Sequence, residues 1–440
     1  MPGIIYVLLI FLLGRELVSK AGRTRLWLFL PASFGLGALA MGWTSYAAAF
    51  AADVCLRWEN PLFYGNLAAM AGAGAVLVFR YVSRGKKKSV LPAFTVREAV
   101  FFLFLLAFLT WIMFYVFYIK DGILYSGFTV YGDYAPHTAM MRSFSLGDNF
   151  PTQYPHFGGE DVKYHFMFQF LVGNLEYLGI RIDIAYNMLS VFALLGFLMM
   201  LYSIARRITG SGAAGVVTVA LFFFRSSFTF FRYLWEHLRS GDLLRTLAEN
   251  TSFIGYTPNE DWGLWNFNVY LNQRHLAFGL LIAALVLWYY LDLVEAGCSH
   301  SEKGLAWMKN RLFSAEVWKM RNPEGALAAG LALGLTAFWN GAAVIGGLLI
   351  LLGFAVFSDG KLDYLATAVT AVLFSVLQSK VFIRGSAVEA GFYWGFISED
   401  KSPAGILWFL IQMSGIFFAG AVLLLPLLKK RLHRVLTVSC

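Results

Sequence analysis

Apolar runs of about twenty residues recur along the whole chain. They predict membrane spans at 3–18, 26–52, 61–82, 98–119, 184–205, 213–231, 276–294, 324–339, 342–357, 363–383 and 404–428. A helix needs about 20 mostly apolar residues to cross the hydrocarbon core of a bilayer. The pattern therefore predicts an all-α, polytopic integral membrane protein with about 11 transmembrane helices.

The basic residues alternate with these spans in a way that predicts their orientation. Clusters fall at Lys20/Arg23/Arg25, Arg84–Lys88 with Arg97, Arg206/Arg207, Lys303 to Arg321, and Lys429–Arg434. Short loops on the cytoplasmic side of a membrane are enriched in Lys and Arg. Eleven spans with an outward N-terminus put every cluster on that side. The first apolar run, Ile4 to Leu13, accordingly predicts a helix rather than a cleavable signal peptide.

Composition supports a membrane protein and removes one other class. The chain has 440 residues, of which 59% are hydrophobic and 14% charged, with a formal net charge of +9. A soluble protein of this size is about a quarter charged. The excess positive charge is explained by helices anchored at an anionic leaflet, so membrane lipids are expected partners and nucleic acid is not.

Three regions follow from the spacing of the spans. Residues 1–97 form three N-terminal spans, 98–295 form a core with two large outer loops, and 296–440 form C-terminal spans. We name the outer loops loop A (residues 120–165) and loop B (residues 232–275). The segment 166–180 is apolar but short and contains Glu176, so we expect it to lie in the interface, or to dip into the membrane and return, rather than to span.

Loop A contains the best candidate for a catalytic group. Asp133 and His137 are close in the sequence Gly132–His137, at the outer end of the fourth span. An ionised carboxylate beside an imidazole can act as a general base. Asp133 could equally be the N-cap of a helix that begins near Pro136. His165, just before the apolar segment 166–180, is a candidate for the wall of the same pocket.

Loop B ends with three hydrogen-bond donors in a row, Gln273, Arg274 and His275, at the mouth of the next span. An arginine fork and a histidine can bind phosphate oxygens, which predicts a phosphate-binding role for Arg274 and His275. The alternative is an arginine that extends its charged end to the membrane interface.

Further acids in the two loops raise the question of a metal ion. Asp148, Glu260 and Asp261, together with Asp133 and His137, could bind one hard divalent cation such as Mg²⁺ or Mn²⁺ if the loops converge. Glu260 and Asp261 could also belong to a solvated turn. The three cysteines are far apart and have no metal-type spacing.

The sequence resembles one known superfamily. The motifs are "GDYAPHTAMMRSFSLGDNFP", "YPHFGG" and "YHF" in and after loop A, and "NQRHLAFG" at the end of loop B. They resemble poorly characterised bacterial members of the C-type glycosyltransferase superfamily, which are related to protein mannosyltransferases and lipid A aminoarabinose transferases. The likeness covers roughly residues 101–291. Many relatives have two consecutive acids where this chain has Asp133 followed by Tyr134.

The resemblance implies a function and a location. It implies inverting transfer of a sugar from a polyprenyl-phosphate donor to an acceptor hydroxyl at the outer face of a bacterial cytoplasmic membrane. Asp133 takes the position of the first-loop acid of that superfamily and is expected to be the general base. Arg274, His275 and either His137 or His165 are expected to stabilise the leaving phosphate, with no metal strictly required.

Two other classes of function remain open from the sequence. One is a lipid or oligosaccharide flippase or transporter, which needs a polar route through the bilayer. The other is a scaffold whose outer loops bind partners. The polar residues of this chain are concentrated at one face, which favours the enzyme.

Overall fold

The computed structural model describes residues 2–18, 25–84, 93–127, 132–162, 164–223, 228–250, 267–382, 393–395 and 398–439. Its first nine helices are α1 (Pro2–Val18), α2 (Leu26–Phe50), α3 (Pro61–Arg84), α4 (Val96–Val116), α5 (Tyr134–Gly147), α6 (Met167–Tyr177), α7 (Ile182–Thr209), α8 (Gly212–Phe222) and α9 (Thr229–Ser240). The remaining nine are α10 (Leu243–Glu249), α11 (Phe267–Asn272), α12 (Arg274–Cys298), α13 (Gly304–Phe313), α14 (Pro323–Leu335), α15 (Ala337–Phe357), α16 (Lys361–Phe382), α17 (Pro403–Leu424) and α18 (Arg431–Ser439).

Eight helices in the described residues are long and apolar enough to cross a membrane, namely α2, α3, α4, α7, α12, α15, α16 and α17. This confirms a helical, polytopic membrane protein. Three of the eleven expected spans correspond to shorter helices: α1 with 17 residues, α8 with 11 and α14 with 13. An 11-residue helix rises only about 16 Å, half of the hydrocarbon thickness.

One local element departs from the all-helical expectation. The strands β1 (Phe117–Lys120) and β2 (Ile123–Ser126) pair antiparallel directly after α4. Asp121 and Gly122 connect them, and both have positive φ, 52° and 76°. Asp-Gly at the centre of a two-residue hairpin loop favours this geometry. The fourth span therefore ends at Val116, and loop A begins as a hairpin.

The centre of the fold is formed by α2, α7 and α12, against which α1 packs closely. Gly14 of α1 and Gly37 of α2 face each other's backbones. A Cβ at Gly14 would collide with the Ser33 carbonyl, and one at Gly37 with the Ile10 carbonyl. Small residues at helix crossings allow this close packing inside a membrane. Phe34 of α2 also lies edge-to-face with Phe278 of α12.

The helices share two ends with different chemistry. At one end, here called the site end, the Asn187 amide of α7 donates to the Phe117 carbonyl over 2.7 Å, just beyond the last residue of α4. At the opposite end, the Tyr202 hydroxyl of α7 donates to Glu98 of α4 over 2.9 Å. The opposite end, here called the basic end, contains Arg25, Arg206, Arg207, Arg311 and Arg431.

The segment predicted to lie in the interface is instead enclosed by the protein. Helix α6 has 11 residues, and all nine from Met167 to Leu175 are buried. Glu176, near its C-terminus, accepts a hydrogen bond from Ser145 over 2.7 Å and lies 3.4 Å from Arg142, both on α5. The expectation of an interfacial α6 with an apolar face towards lipid is therefore wrong, while the alternative of a segment that dips into the membrane and returns stays a prediction. Its apolar residues face α5, α7 and α2.

Candidate active site

The site forms where loop A meets the end of loop B. Asp133 occupies the N-cap position of α5, yet its side chain makes no capping hydrogen bond. The Asn272 amide donates to Asp133 Oδ2 over 2.6 Å, and the Gln273 amide donates to the same oxygen. The backbone N–H of Asp133 in turn points to Asn272 Oδ1 at 3.4 Å. The carboxylate is therefore held by loop B and does not serve its own helix.

A break between two helices presents these amides. Helix α11 ends at Asn272 and α12 begins at Arg274, with Gln273 between them in a non-helical conformation. The hydroxyl of Tyr134, the residue after Asp133, donates to the Leu271 carbonyl over 2.9 Å. This bond fixes the first turn of α5 against the break. As a result, two segments 139 residues apart converge on one carboxylate.

Burial changes the acidity of Asp133. Its side chain is half-buried, and desolvation raises its pKa above the ordinary aspartate value, while the hydrogen bond from Asn272 lowers it in part. Desolvation disfavours the charged form of a carboxyl group, and donors to the carboxylate favour it. A raised pKa makes the ionised form a stronger base than an ordinary surface aspartate.

Three histidines cluster beside Asp133. His165 Nε2 contacts His275 Nε2, and the ring centroids of His137 and His275 lie 5.3 Å apart. Tyr164 completes the cluster: its hydroxyl donates to Gln273 Oε1 over 3.1 Å and lies 3.4 Å from His275 Nε2. Within the described residues, the buried Nδ1 atoms of His137 and His275 have no hydrogen-bond partner.

Two of the three clustered histidines, His137 and His165, are neutral at physiological pH. Burial lowers the pKa of His137 to about 4, with a smaller effect from the charge of Arg274. Burial likewise lowers the pKa of His165 to about 3. These imidazoles can therefore donate or accept hydrogen bonds at the site, but they carry no positive charge to offer an anion.

Arg274 lies behind the site rather than in it. Only 1% of its surface is exposed, and its guanidinium donates to Asn187 Oδ1 over 2.5 Å and to the Leu271 carbonyl over 3.0 Å. It also lies over the ring of Tyr186, 4.4 Å from the centroid. The expected two-pronged grip on a phosphate is thus not open in this structure. Within the described residues Arg274 forms no ion pair, so its charge is buried without a carboxylate partner.

Asp148, one of the expected metal ligands, does not lie beside Asp133. Asp148 follows the last residue of α5, a 14-residue helix that separates it from Asp133 by about 21 Å. Burial raises the pKa of Asp148 too. Glu260 and Asp261 lie outside the described residues. Among the described residues, no group of three or more His, Cys, Asp or Glu side chains is arranged to hold a metal ion.

Sequence analysis did not assign three of the residues at this site. Asn272 holds the carboxylate, Tyr164 links Gln273 to the histidines, and Asn187 holds Arg274. Asn272 directly precedes Gln273, and Tyr164 directly precedes His165. Their hydrogen-bonding groups, within the same two motifs, are the signal that could have identified them. Asn187 lies within an apolar span, where a polar residue is itself a signal of function or of a buried partner.

No protein-family model matches the chain, and neither a curated protein nor a solved structure matches it.

Proposed function

We propose that this protein is a membrane-embedded glycosyltransferase of the C-type superfamily. It transfers a sugar from a polyprenyl-phosphate donor to an acceptor hydroxyl, with inversion at the anomeric carbon. Asp133 is the general base. The observation that supports this most directly is the Asp133 side chain, which does not cap its helix but is held through Oδ2 by two amides of loop B.

The two amides leave one oxygen of Asp133 available. Because Asn272 and Gln273 both donate to Oδ2, Oδ1 can accept the proton of the acceptor hydroxyl. As the O–H bond breaks, the acceptor oxygen forms a bond to the anomeric carbon. The bond from that carbon to the phosphate oxygen breaks on the opposite side, and the phosphate leaves with the electron pair. The amides keep the carboxylate fixed during this transfer, so little geometric reorganisation is needed.

An unpaired buried cation favours an anionic donor. Arg274 is enclosed and has no carboxylate partner in the described residues, and its charge is felt at His137, on the other side of Tyr134. A fixed positive charge of this kind attracts an anion into a site of low dielectric. We therefore assign Arg274 a long-range role in stabilising the leaving phosphate. Direct hydrogen bonds to the phosphate come from neutral His165, the most exposed of the three histidines. The expected direct contact from His275 is not open in this structure, because its side chain is as buried as that of Arg274.

The same proposal includes a topology of about eleven spans, with the N-terminus and the site end outside a bacterial cytoplasmic membrane. Arginines collect at the basic end, around the ends of α4, α7 and α12. This distribution supports an orientation with the basic end in the cytoplasm. In that orientation, α1 and α14 are two of the expected eleven spans. The 11-residue α8 forms only the first part of the span expected at 213–231, of which residues 224–227 lie outside the described part of the chain.

Membrane vesicles that contain the protein, supplied with a panel of polyprenyl-phosphate hexoses labelled in the sugar, test the proposal. Release of label from the organic phase reports transfer. Asp133→Asn keeps the size of the side chain and an acceptor for the two amides but removes the base. The rate is expected to fall by about 100-fold or more, the scale of a lost general base.

Asp148→Asn is the matched control, because it makes the same chemical change at the other end of α5. Its rate is expected to match that of the unmodified protein. Full activity of the Asp133→Asn protein contradicts the assignment of Asp133. Movement of intact donor across the bilayer, without release of the sugar, indicates a flippase instead.

A further inference from the structure

Two cavities meet at the basic end, far from the candidate active site. The first has a volume of about 340 Å³ and a mixed lining that includes Arg25, Arg206, Arg207 and Tyr202. The second has about 330 Å³ and an almost wholly apolar lining. Trp27 lines both. Each volume lies in the lower part of the range of ligand pockets, about 300–1,000 Å³.

Arg25 is the least tightly paired of the arginines that line the first cavity. Glu98 forms an ion pair with Arg206 and accepts the Tyr202 hydroxyl over 2.9 Å, but it lies 3.9 Å from Arg25. Arg207 is paired with two acids of α12, Asp292 at 2.5 Å and Glu295 at 3.0 Å. Three acids therefore match the three arginines in number, but among the described residues the Arg25 guanidinium has only this one long ion pair, and its side chain is 53% exposed. The Arg25 guanidinium can therefore turn to a second anion.

A buried donor stands at the junction of the two cavities. Trp27 is 5% exposed, and its indole N–H has no hydrogen-bond partner within the described residues. A buried N–H without a hydrogen-bond partner is unfavourable. An acceptor that enters the junction removes this cost. A phosphate oxygen suits both this N–H and the loosely paired guanidinium of Arg25.

The apolar cavity runs between α2, α4 and α7 and opens towards the lipid. Phe34, Phe102 and Met199 form part of its buried wall, whereas Leu103 and Phe94 on its lining are 62% and 56% exposed. Since α2, α4 and α7 are all candidate membrane spans, this opening lies on a surface that faces hydrocarbon. A soluble anion would occupy only the first, arginine-lined cavity.

We propose that the paired cavities bind one anionic glycerophospholipid of the leaflet at the basic end. Its phosphate lies against Arg25, Arg206 and the indole N–H of Trp27, and one acyl chain fills the apolar cavity. This site joins α2, α4 and α7 at the end opposite Asp133, and it does not depend on the proposed chemistry at the site end. Basic pockets between transmembrane helices on the cytoplasmic side are suited to anionic headgroups.

Native mass spectrometry and thermal unfolding of the full-length, detergent-purified protein test this. Phosphatidylglycerol is expected to be retained as one tightly bound lipid per chain and to raise the unfolding temperature. Phosphatidylcholine with the same acyl chains is expected to do neither. Arg25→Gln removes one of the two arginines that contact the phosphate. Binding of phosphatidylglycerol should weaken by about tenfold, which corresponds to the loss of one partly exposed, charge-assisted contact.

Two further variants separate the headgroup from the tail. Arg97→Gln makes the same charge change at an exposed position next to Glu98 but outside the lining, and it is expected to leave binding unchanged. Ala99→Phe fills part of the apolar cavity and is expected to weaken binding while the headgroup contacts remain.

Four results overturn the proposal. The first is equal stabilisation by phosphatidylcholine, and the second is equal stabilisation by glycerol phosphate, which would indicate a soluble anion. The third is stronger binding of a polyprenyl phosphate than of phosphatidylglycerol, which would indicate a different occupant. The fourth is unchanged phosphatidylglycerol binding in the Arg25→Gln protein.

Discussion

Replacing Asn272 with leucine is expected to raise the pKa of Asp133. Asn272 is buried and donates to Asp133 Oδ2 over 2.6 Å, and this bond lowers the pKa of the carboxyl group. Leucine has a similar size but no donor. Desolvation, which already raises this pKa, then acts with less opposition. Because the carboxylate is the active form, the acidic limb of the pH–rate profile should move to higher pH.

The magnitude follows from the contacts. A hydrogen bond to a charged group contributes about 1.5–3 kcal/mol, so its loss disfavours the carboxylate by up to that amount. Asp133 is half-buried, and Gln273 still donates to the same oxygen. Water and Gln273 together offset part of the loss. We therefore expect a net cost at the lower end of this range, which lowers kcat/KM on the acidic side of the profile by about tenfold.

Two measurements check this value. The first is the pH dependence of kcat/KM for release of the labelled sugar, whose acidic limb reports the free enzyme. The second is infrared difference spectroscopy of the carboxyl stretch during a pH titration, which does not depend on activity. In the double variant Asp133→Asn/Asn272→Leu, the titrating carboxyl band assigned to this residue should disappear. An acidic limb that stays in place, or moves to lower pH, refutes the account of how Asn272 tunes Asp133.

Three further predictions concern stability and topology. Arg274→Lys keeps the charge, but a lysine cannot reach both the Leu271 carbonyl and Asn187, so the free energy of unfolding should fall by about 1–3 kcal/mol. The measurement is a lower unfolding temperature in detergent, and an unchanged temperature contradicts a structural role for the buried Arg274 guanidinium. The free energy of unfolding should fall by up to about 3 kcal/mol as pH is lowered from about 6.5 towards about 4, because His137 binds a proton in the unfolded chain but not when it is buried. The decline should be shallower in the His137→Gln protein, and an equal decline in both proteins excludes His137 as its source. In a protein without its native cysteines, Asp242→Cys should be labelled by an impermeant reagent on intact cells, and Lys303→Cys should be labelled only after lysis. The reverse pattern would mean that the proposed orientation is inverted.

The sequence predicts the elements of this fold better than their contacts. Apolar run length identifies most of the spans, because crossing a bilayer sets a length that any sequence must satisfy. Run length also shows that residues 166–180 are too few to span. It does not show that α5 and α7 cover them, since that depends on packing between distant segments. The Asp121–Gly122 pair is a local turn signal for the hairpin, which the length of apolar runs does not reveal.

For the candidate site too, the sequence predicts which residues take part better than it predicts their contacts. Asp133 can be found from sequence because a carboxylate followed by an imidazole is unusual at the end of an apolar run. Arg274 can be found too, but not its environment. An arginine at the mouth of a span is compatible with an interface anchor, a phosphate ligand or a buried cation. The choice depends on Asn187 and Tyr186 of α7, which no local pattern connects to it.

The link between Asp133 and Asn272 has a consequence for biogenesis. The two residues are 139 positions apart, so Asp133 is synthesised well before the residues whose amides hold it. At about 5–20 residues per second, synthesis of the intervening chain takes roughly 7–30 s. During that interval Asp133 lacks both amides that hold its Oδ2 in the folded chain. A truncated product that ends before α11 therefore contains Asp133 without the contacts that position it, and under the proposed function we expect such a product to be inactive.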